Sequence, residues 1–328
     1  MPVEQAEGRL FLAKFALFIL PLLLFGLGLI AIDPFNFFGL PSVISDAVKS
    51  RTSRPLNVVL WKMIDYSHHP NANILLGDSR MNNIDLDYLN RVSPVHYYNL
   101  AYGGAAMDEI LDSFWFANKI VGGLKNVYVG VNLNLWNKFY RQGRAGMFPL
   151  MQQNPFNYLI NRTVLKAAGY NVYYQLSGGD PKIGAPSLTR DQFWQWQLHQ
   201  TTNFYYGNFA PSEQYFAEMQ KIVRYCSLHN TKLVFVIFPT HLDLQQRLID
   251  LNLRQEDEQL RASLRALATT FDFDYPSELT RAASNFSDPY HYNSAAGHEI
   301  VNEIWGGKTK FARISQPKPG LRAGLQSK

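Results

Sequence analysis

Apolar and polar positions divide the chain into three kinds of stretch. Residues 15–32 run through Leu, Phe, Ile and Gly without a charge. That is about 18 residues, long enough to cross a bilayer as one helix, and the run has no polar face to suit a soluble surface. Further on come short apolar runs, each closed by glycine or polar residues: Asn73-Ile74-Leu75-Leu76-Gly77, then 97–101, 126–131 and 232–238. Continuous runs of this length are the pattern of strands buried on both faces of a parallel sheet. Between them the spacing turns helical. Ile110, Leu111, Phe114 and Ala117 draw one apolar stripe along residues 108–121, and helices are also expected over 213–229, 254–270 and 294–305, with a short fifth strand at 271–275. Strands alternating with helices predict an α/β fold, a three-layer parallel sheet flanked by helices.

The alternation stops near Trp136 and resumes near Ser212. Residues 137–211 are rich in Tyr, Phe, Trp, Asn and Gln, carry helical spacing at 158–168 and 190–198, and contain no strand series, so they read as an insertion. Rings at this density build a core or line a cleft, and Trp194, Trp196, Tyr205 and Tyr206 are candidates for the second role. The expected organisation is a cytoplasmic N-terminus (1–14), a transmembrane anchor (15–32), a polar connector (33–70), the α/β domain (71–307) and a basic flexible tail (308–328). At the start of the connector, Asp33-Pro34-Phe35-Asn36-Phe37-Phe38 suits the membrane interface, where aromatic rings settle. Arg9 and Lys14 before the apolar run and Asp33 after it favour a cytoplasmic N-terminus and a periplasmic or extracellular domain. The run ends Leu29-Ile30-Ala31-Ile32-Asp33-Pro34, a poor site for signal cleavage.

Composition narrows the chemistry. The net charge is +5, and the six basic residues beyond position 307 account for all of it, so the domain shows no footprint for nucleic acid. The single cysteine, Cys226, excludes an internal disulfide and a cysteine-built zinc site, and no His-x-x-x-His helix pattern appears. No metal or cofactor is expected.

Ligands of a parallel α/β sheet bind beyond the carboxyl ends of its strands. Ser79 follows the first run, the Gly103-Gly104 pair the second, Asn134 the third, and Thr240 and His241 the fourth. Far downstream, Asp288-Pro289-Tyr290-His291 places an acid three residues before a histidine. A hydroxyl with a distant Asp/His pair is the parts set of a serine hydrolase or acyltransferase.

Gly77-Asp78-Ser79 after a strand, Gly103-Gly104, an asparagine after 127–131 and Asp288-x-x-His291 together resemble the sequence blocks of the SGNH, or GDSL-type, hydrolase superfamily. The resemblance covers roughly residues 73–305. It implies Ser79 as nucleophile, His291 as general base and Asp288 as the group that orients the imidazole. It also implies an oxyanion hole from the Ser79 and Gly104 amides and the Asn134 side chain, with Gly103 and Asn132 as close competitors. Arg80, Thr240 and His241 are the expected substrate contacts. The third block reads Val131-Asn132-Leu133-Asn134 rather than the usual Gly-x-Asn-Asp, and Arg80 stands where the pattern has an apolar residue. Both departures, and the anchor, resemble the membrane-bound branch that includes the teichoic acid D-alanyl transfer protein and polysaccharide O-acetylation proteins. That likeness implies an acyl donor, a polysaccharide acceptor and a multi-pass membrane-bound O-acyltransferase as partner. Two rival readings stand beside the transferase: a plain carbohydrate esterase using the same residues, and a non-catalytic polymer-binding assembly protein.

Overall fold

The computed structural model describes residues 2–179 and 188–317, with side chains from residue 13 onward. The described residues form two compact units, 2–68 with 147–179, and 69–146 with 188–317.

The larger unit is built on a six-stranded sheet. Its strands are β1 (Asn73–Leu76), β2 (Tyr98–Asn99), β3 (Asn126–Gly130), β4 (Lys232–Ile237), β5 (Thr269–Asp272) and β6 (Arg313–Ser315), in the order β2-β1-β3-β4-β5-β6. The first five are mutually parallel, and β6 runs antiparallel to β5. Ile74 pairs with both Tyr98 and Val127, and Val129 pairs with both Leu76 and Phe235, so β1 and β3 lie in the sheet's interior. Ile74, Leu75 and Leu76 are all buried, as a strand covered on both faces requires.

Helices flank the sheet. Met107–Val121 packs on β1 and against Glu213–Leu228, which packs on β4, while Leu86–Val92 pairs with Ser294–Ile304. The helix expected over 254–270 stops at Leu267 because β5 starts at Thr269, two residues ahead of the expected fifth strand. Residues 308–317, expected within a flexible tail, differ more. The buried Glu303 carboxylate accepts the backbone N–H groups of Lys310, Phe311 and Ala312 at 2.7–3.0 Å, and this turn returns the chain to the sheet as β6. Arg313 then lies 3.6 Å over the Tyr275 ring, a charged cover on a short edge strand. The rest of that tail, 318–328, lies outside the described residues, as do 180–187 of the expected insertion.

The smaller unit begins with one long helix, Pro2–Ile32, in which Ala13–Ile32 is apolar and long enough to cross a membrane. Residues 33–70, expected as a polar connector, contain two helices, Asp46–Thr52 and Val58–His68. The helix Asp46–Thr52 packs on Arg162–Ser177, where Ser53 Oγ donates to the buried Asn171 Oδ1 at 2.9 Å. The expected insertion is therefore divided: 147–179 belongs to this unit, and 137–146 and 188–211 to the sheet unit. The helix expected over 158–168 is broken at Asn161, whose Oδ1 caps Arg162–Ser177 by accepting from Thr163 and Val164, and the piece before it is the single turn Phe156–Leu159.

Candidate active site

Ser79 opens the short helix Ser79–Asn82 directly beyond β1. Gly77 makes that turn possible. Its φ is 151°, and a Cβ there would stand 2.9 Å from Met81 Cβ and 3.3 Å from the Gly130 nitrogen of β3. Asp78 caps the helix by accepting from Arg80 N–H at 3.0 Å, so strand, turn and cap together present the Ser79 side chain at the sheet's carboxyl edge.

The residues expected as a catalytic set meet there. Ser79 Oγ lies 2.6 Å from His291 Nε2, and His291 Nδ1 lies 2.6 Å from Asp288 Oδ2. Asp288 is buried, and its other oxygen accepts the backbone N–H groups of Tyr290 and His291 at 2.8 and 3.1 Å. An ionised carboxylate only accepts, so the proton of a neutral imidazole sits on Nδ1 and the Nε2 lone pair faces the serine hydroxyl. The loop that carries the pair is clamped on several sides. His241 N–H donates to Pro289 O at 3.0 Å, Tyr290 and Thr201 hydroxyls meet at 2.7 Å, and Tyr292 OH donates to Arg80 O at 2.6 Å.

The expected oxyanion groups are tied to the same turn. Tyr102 N–H donates to Gly77 O, and the Tyr102–Ala105 turn holds Gly103 and Gly104 at its centre, with Gly104 at φ 63°. Gly104 O accepts from Tyr140 OH at 2.8 Å and from Arg144 Nη2 at 2.7 Å. Arg144 is held in turn by the fully buried Glu109, which accepts from its backbone N–H, Nε and Nη2 at 2.7–3.0 Å. Of the two asparagines beyond β3, Asn132 spends both ends of its amide on the Phe238 backbone. Asn134 instead accepts at Oδ1 from Arg80 Nη2 at 2.7 Å. Arginine only donates, so the Asn134 oxygen faces the guanidinium and its Nδ2 donor points the other way.

The three expected substrate contacts are placed differently. Arg80 is 1% exposed, with Nε and Nη2 paired to the Asp78 carboxylate and the guanidinium 5.7 Å from the Tyr290 ring centre. Burial opposes its charge, but the Asp78 charge and hydrogen bond outweigh it and raise the pKa above the ordinary arginine value. Thr240 is buried and bonded through N–H and Oγ1 to Asp274 at 2.9 and 2.6 Å. His241 caps the helix Leu242–Asp250 by accepting from Asp243 N–H at 3.2 Å, and its ring lies between Trp194 and Phe286. A strand-end position put these residues at the correct edge, yet local partners turn their side chains into the protein. Of the candidate cleft rings, Trp194 and Tyr206 are buried in the core and Trp196 is exposed. Tyr205 packs edge-on to Tyr140 and Tyr290. Burial, with the charge of Asp78, raises the pKa of the Tyr205 hydroxyl, and burial with Tyr205 and Asp78 raises that of Tyr140, so both phenols remain neutral donors beside the Ser79 turn.

Tyr140, Arg144 and Glu109 stand in no motif of the sequence. Glu109 stands three residues after Ala106, the spacing of a capping box, but alanine offers no cap oxygen and the pattern was silent. Among the described residues no group of three His, Cys, Asp or Glu side chains is arranged to hold a metal ion.

No family model and no curated protein matches the chain. Among solved structures it is similar to a provisionally assigned platelet activating factor from Streptococcus pneumonia, 10% identical over 79% of this chain and 92% of that one, with a TM-score of 0.38. It is also similar to a provisionally assigned acylhydrolase from Bacteroides fragilis, 11% identical over 74% and 93% with a TM-score of 0.35. A third likeness is to a provisionally assigned lipolytic protein of the G-D-S-L family from Desulfitobacterium hafniense, 11% identical over 71% and 97% with a TM-score of 0.34. Likenesses this distant leave the chemistry to be argued from Ser79, His291 and Asp288 themselves.

Proposed function

We propose that this chain is a membrane-anchored serine acyltransferase of the SGNH type, working outside the cytoplasm. It takes a small acyl group, acetyl or similar, from a donor ester and passes it to a hydroxyl of a cell-envelope or exported polysaccharide. The observation that carries this reading is the continuous Ser79–His291–Asp288 relay, with both hydrogen bonds at 2.6 Å. In the first half-reaction Ser79 Oγ attacks the donor carbonyl as His291 Nε2 takes the hydroxyl proton. Charge then collects on the carbonyl oxygen, facing the Ser79 and Gly104 amides and Asn134 Nδ2. Each such donor is typically worth about 3 kcal/mol of barrier. Collapse breaks the donor ester, and the His291 proton leaves on the departing oxygen. In the second half-reaction an acceptor hydroxyl gives its proton to His291 Nε2 and attacks the acyl carbon, the bond from that carbon to Ser79 Oγ breaks, and His291 returns the proton to Oγ.

Transfer, rather than release of free acid, is favoured by the N-terminal helix, which suits an anchor beside a growing polymer. The resemblance of the Ser79 and Asn134 blocks to the membrane-bound branch implies the partner, a multi-pass membrane-bound O-acyltransferase that delivers the acyl group. A second reading is a plain carbohydrate esterase, because the His291 side chain is 21% exposed and water can reach the relay. Product analysis separates the two. The full chain in detergent is given p-nitrophenyl acetate with and without an oligosaccharide acceptor. Acetylated oligosaccharide is the expected product, and Ser79→Ala abolishes it. Free acetate alone in both reactions eliminates transfer.

A further inference from the structure

The sequence suggested that Phe35, Phe37 and Phe38 meet lipid at the end of the apolar helix. In the structure those rings pack within the smaller unit. Phe35 is fully buried, Phe37 stacks on Tyr158 at 4.4 Å, and Phe38 meets the same ring edge-on at 5.5 Å. Leu40 at 57%, Val43 at 70%, Phe156 at 61% and Ile160 at 58% exposure are among the large apolar side chains of this unit that stand open to solvent, with Leu150, Tyr173 and Leu176 elsewhere on it.

The first four are tied to the exit of the helix Pro2–Ile32. Val43 N–H donates to Ala31 O at 3.0 Å, and Ser42 Oγ donates to the carbonyls of Ala31 and Ile32 at 3.0 and 2.8 Å, capping the last turn. Tyr158, fully buried, donates its hydroxyl to Asp33 Oδ1 at 2.8 Å and accepts Phe35 N–H at 3.1 Å. Asp33 also accepts from Phe37 and Phe38 N–H at 2.9 Å, so the joint after the helix is closed by short bonds. Phe156 and Ile160 lie two residues either side of Tyr158, and Leu40 lies two residues from Ser42. Phe156 belongs to the turn Phe156–Leu159, which packs on the helix Pro2–Ile32, and Ile160 follows that turn directly.

We propose that Leu40, Val43, Phe156 and Ile160 form an apolar collar that inserts into the outer leaflet of the bilayer around the exit of the N-terminal helix. This rests on the reading of that helix as a membrane span. Twenty residues, Ala13–Ile32, rise about 30 Å, the thickness of the hydrocarbon core, so Ile32 stands at its far boundary. Whatever is bonded to residues 31–35 then lies at headgroup depth, where uncharged Leu, Val, Phe and Ile side chains bury their surface about 5–10 Å into the acyl boundary. The smaller unit is therefore seated on the membrane by its own surface as well as by the span.

Electron paramagnetic resonance on the full chain tests this in vesicles of phosphatidylcholine and phosphatidylglycerol. Nitroxides are placed through Val43→Cys, Phe156→Cys and Ile160→Cys, with Leu23→Cys as the mid-span reference. Cys226 is buried and burial pushes its thiol up to about 12, so it stays in place unlabelled. Oxygen concentrates in the bilayer and a nickel chelate in water. The collar labels are expected to be relaxed more by oxygen than by nickel, at shallower depth than the Leu23 label. An oxygen-dominated Leu23 label beside nickel-dominated collar labels overturns the collar and leaves the span standing. Collar labels shielded from both agents mean that protein covers the surface, which also overturns it. A nickel-dominated Leu23 label removes the span and the collar together.

Discussion

Arg80, an expected substrate contact, is buried and donates to Asn134 Oδ1, an arrangement that suits a support for Asn134 in the proposed mechanism. Arg80→Lys keeps a positive charge beside Asp78, but an ammonium lacks the planar fork that serves the Asp78 carboxylate and Asn134 Oδ1 together. Asn134 is then free to rotate its amide, and in the proposed mechanism its Nδ2 donor no longer faces the oxyanion in every molecule. A lost oxyanion donor costs about 3 kcal/mol, which is roughly 10²-fold in rate, and Arg80→Lys is expected to forfeit between about tenfold and that full amount in kcat. Arg80→Met is the harsher change. It strands the Asp78 carboxylate, whose side chain is 9% exposed, and removal of one partner from a buried pair typically costs about 3–5 kcal/mol of stability. The assay is steady-state turnover of p-nitrophenyl acetate by the wild type, Arg80→Lys, Asn134→Ala and the double variant, with thermal melts to confirm folding. On the proposal that Arg80 acts through Asn134, the double variant should be no slower than Asn134→Ala alone. Losses that multiply would refute the reasoning. So would a raised KM at unchanged kcat, the signature of a direct substrate contact.

Two further perturbations probe the framework. Gly77→Ala forces a Cβ to 2.9 Å from Met81 Cβ at a φ that side chains avoid, so a loss of about 1–3 kcal/mol in urea unfolding is expected together with a fall in kcat as Ser79 shifts; an unchanged midpoint and rate would contradict the turn's role. Lys62 is buried, and burial followed by the Arg54 charge lowers its pKa to about 7. The unfolded chain therefore binds more protons than the folded one between about pH 7 and pH 10, and stability rises with pH across that window by up to about 1.4 kcal/mol per unit. Melting curves at pH 7 to 10 should show this slope in the wild type and a flatter one in Lys62→Met, and equal slopes would count against it.

Much of the sheet could be read from the pattern of residues. The runs at β1, β3 and β4 are buried on both faces, so they are uniformly apolar and stand out, and β1 locates Ser79 by itself. The order Ser79, Asp288, His291 was likewise legible, since the acid and histidine share one local turn. What escaped depends on partners distant in the chain. The strand β6 exists because Glu303 gathers three backbone N–H groups, an arrangement with no periodic trace. Thr240 and His241 sit at a strand end as expected, but Asp274 and the helix cap decide where their side chains turn. The choice between Asn132 and Asn134 needed the bonds from Asn132 to Phe238 across the sheet. The ring content of residues 35–38 is plain in the sequence, but that Phe35 is buried and Phe37 and Phe38 pack on Tyr158, more than a hundred residues away, is not.

The central claim is that Ser79 is a nucleophile driven by His291. Its most direct measurement is mass spectrometry of the full chain, in detergent, after brief exposure to a fluorophosphonate. The expected result is one adduct on the Ser79 peptide, absent in Ser79→Ala and formed at least about 10³-fold more slowly in His291→Ala. Folded protein that gains no adduct at Ser79, or a His291→Ala variant labelled as fast as the wild type, would contradict it.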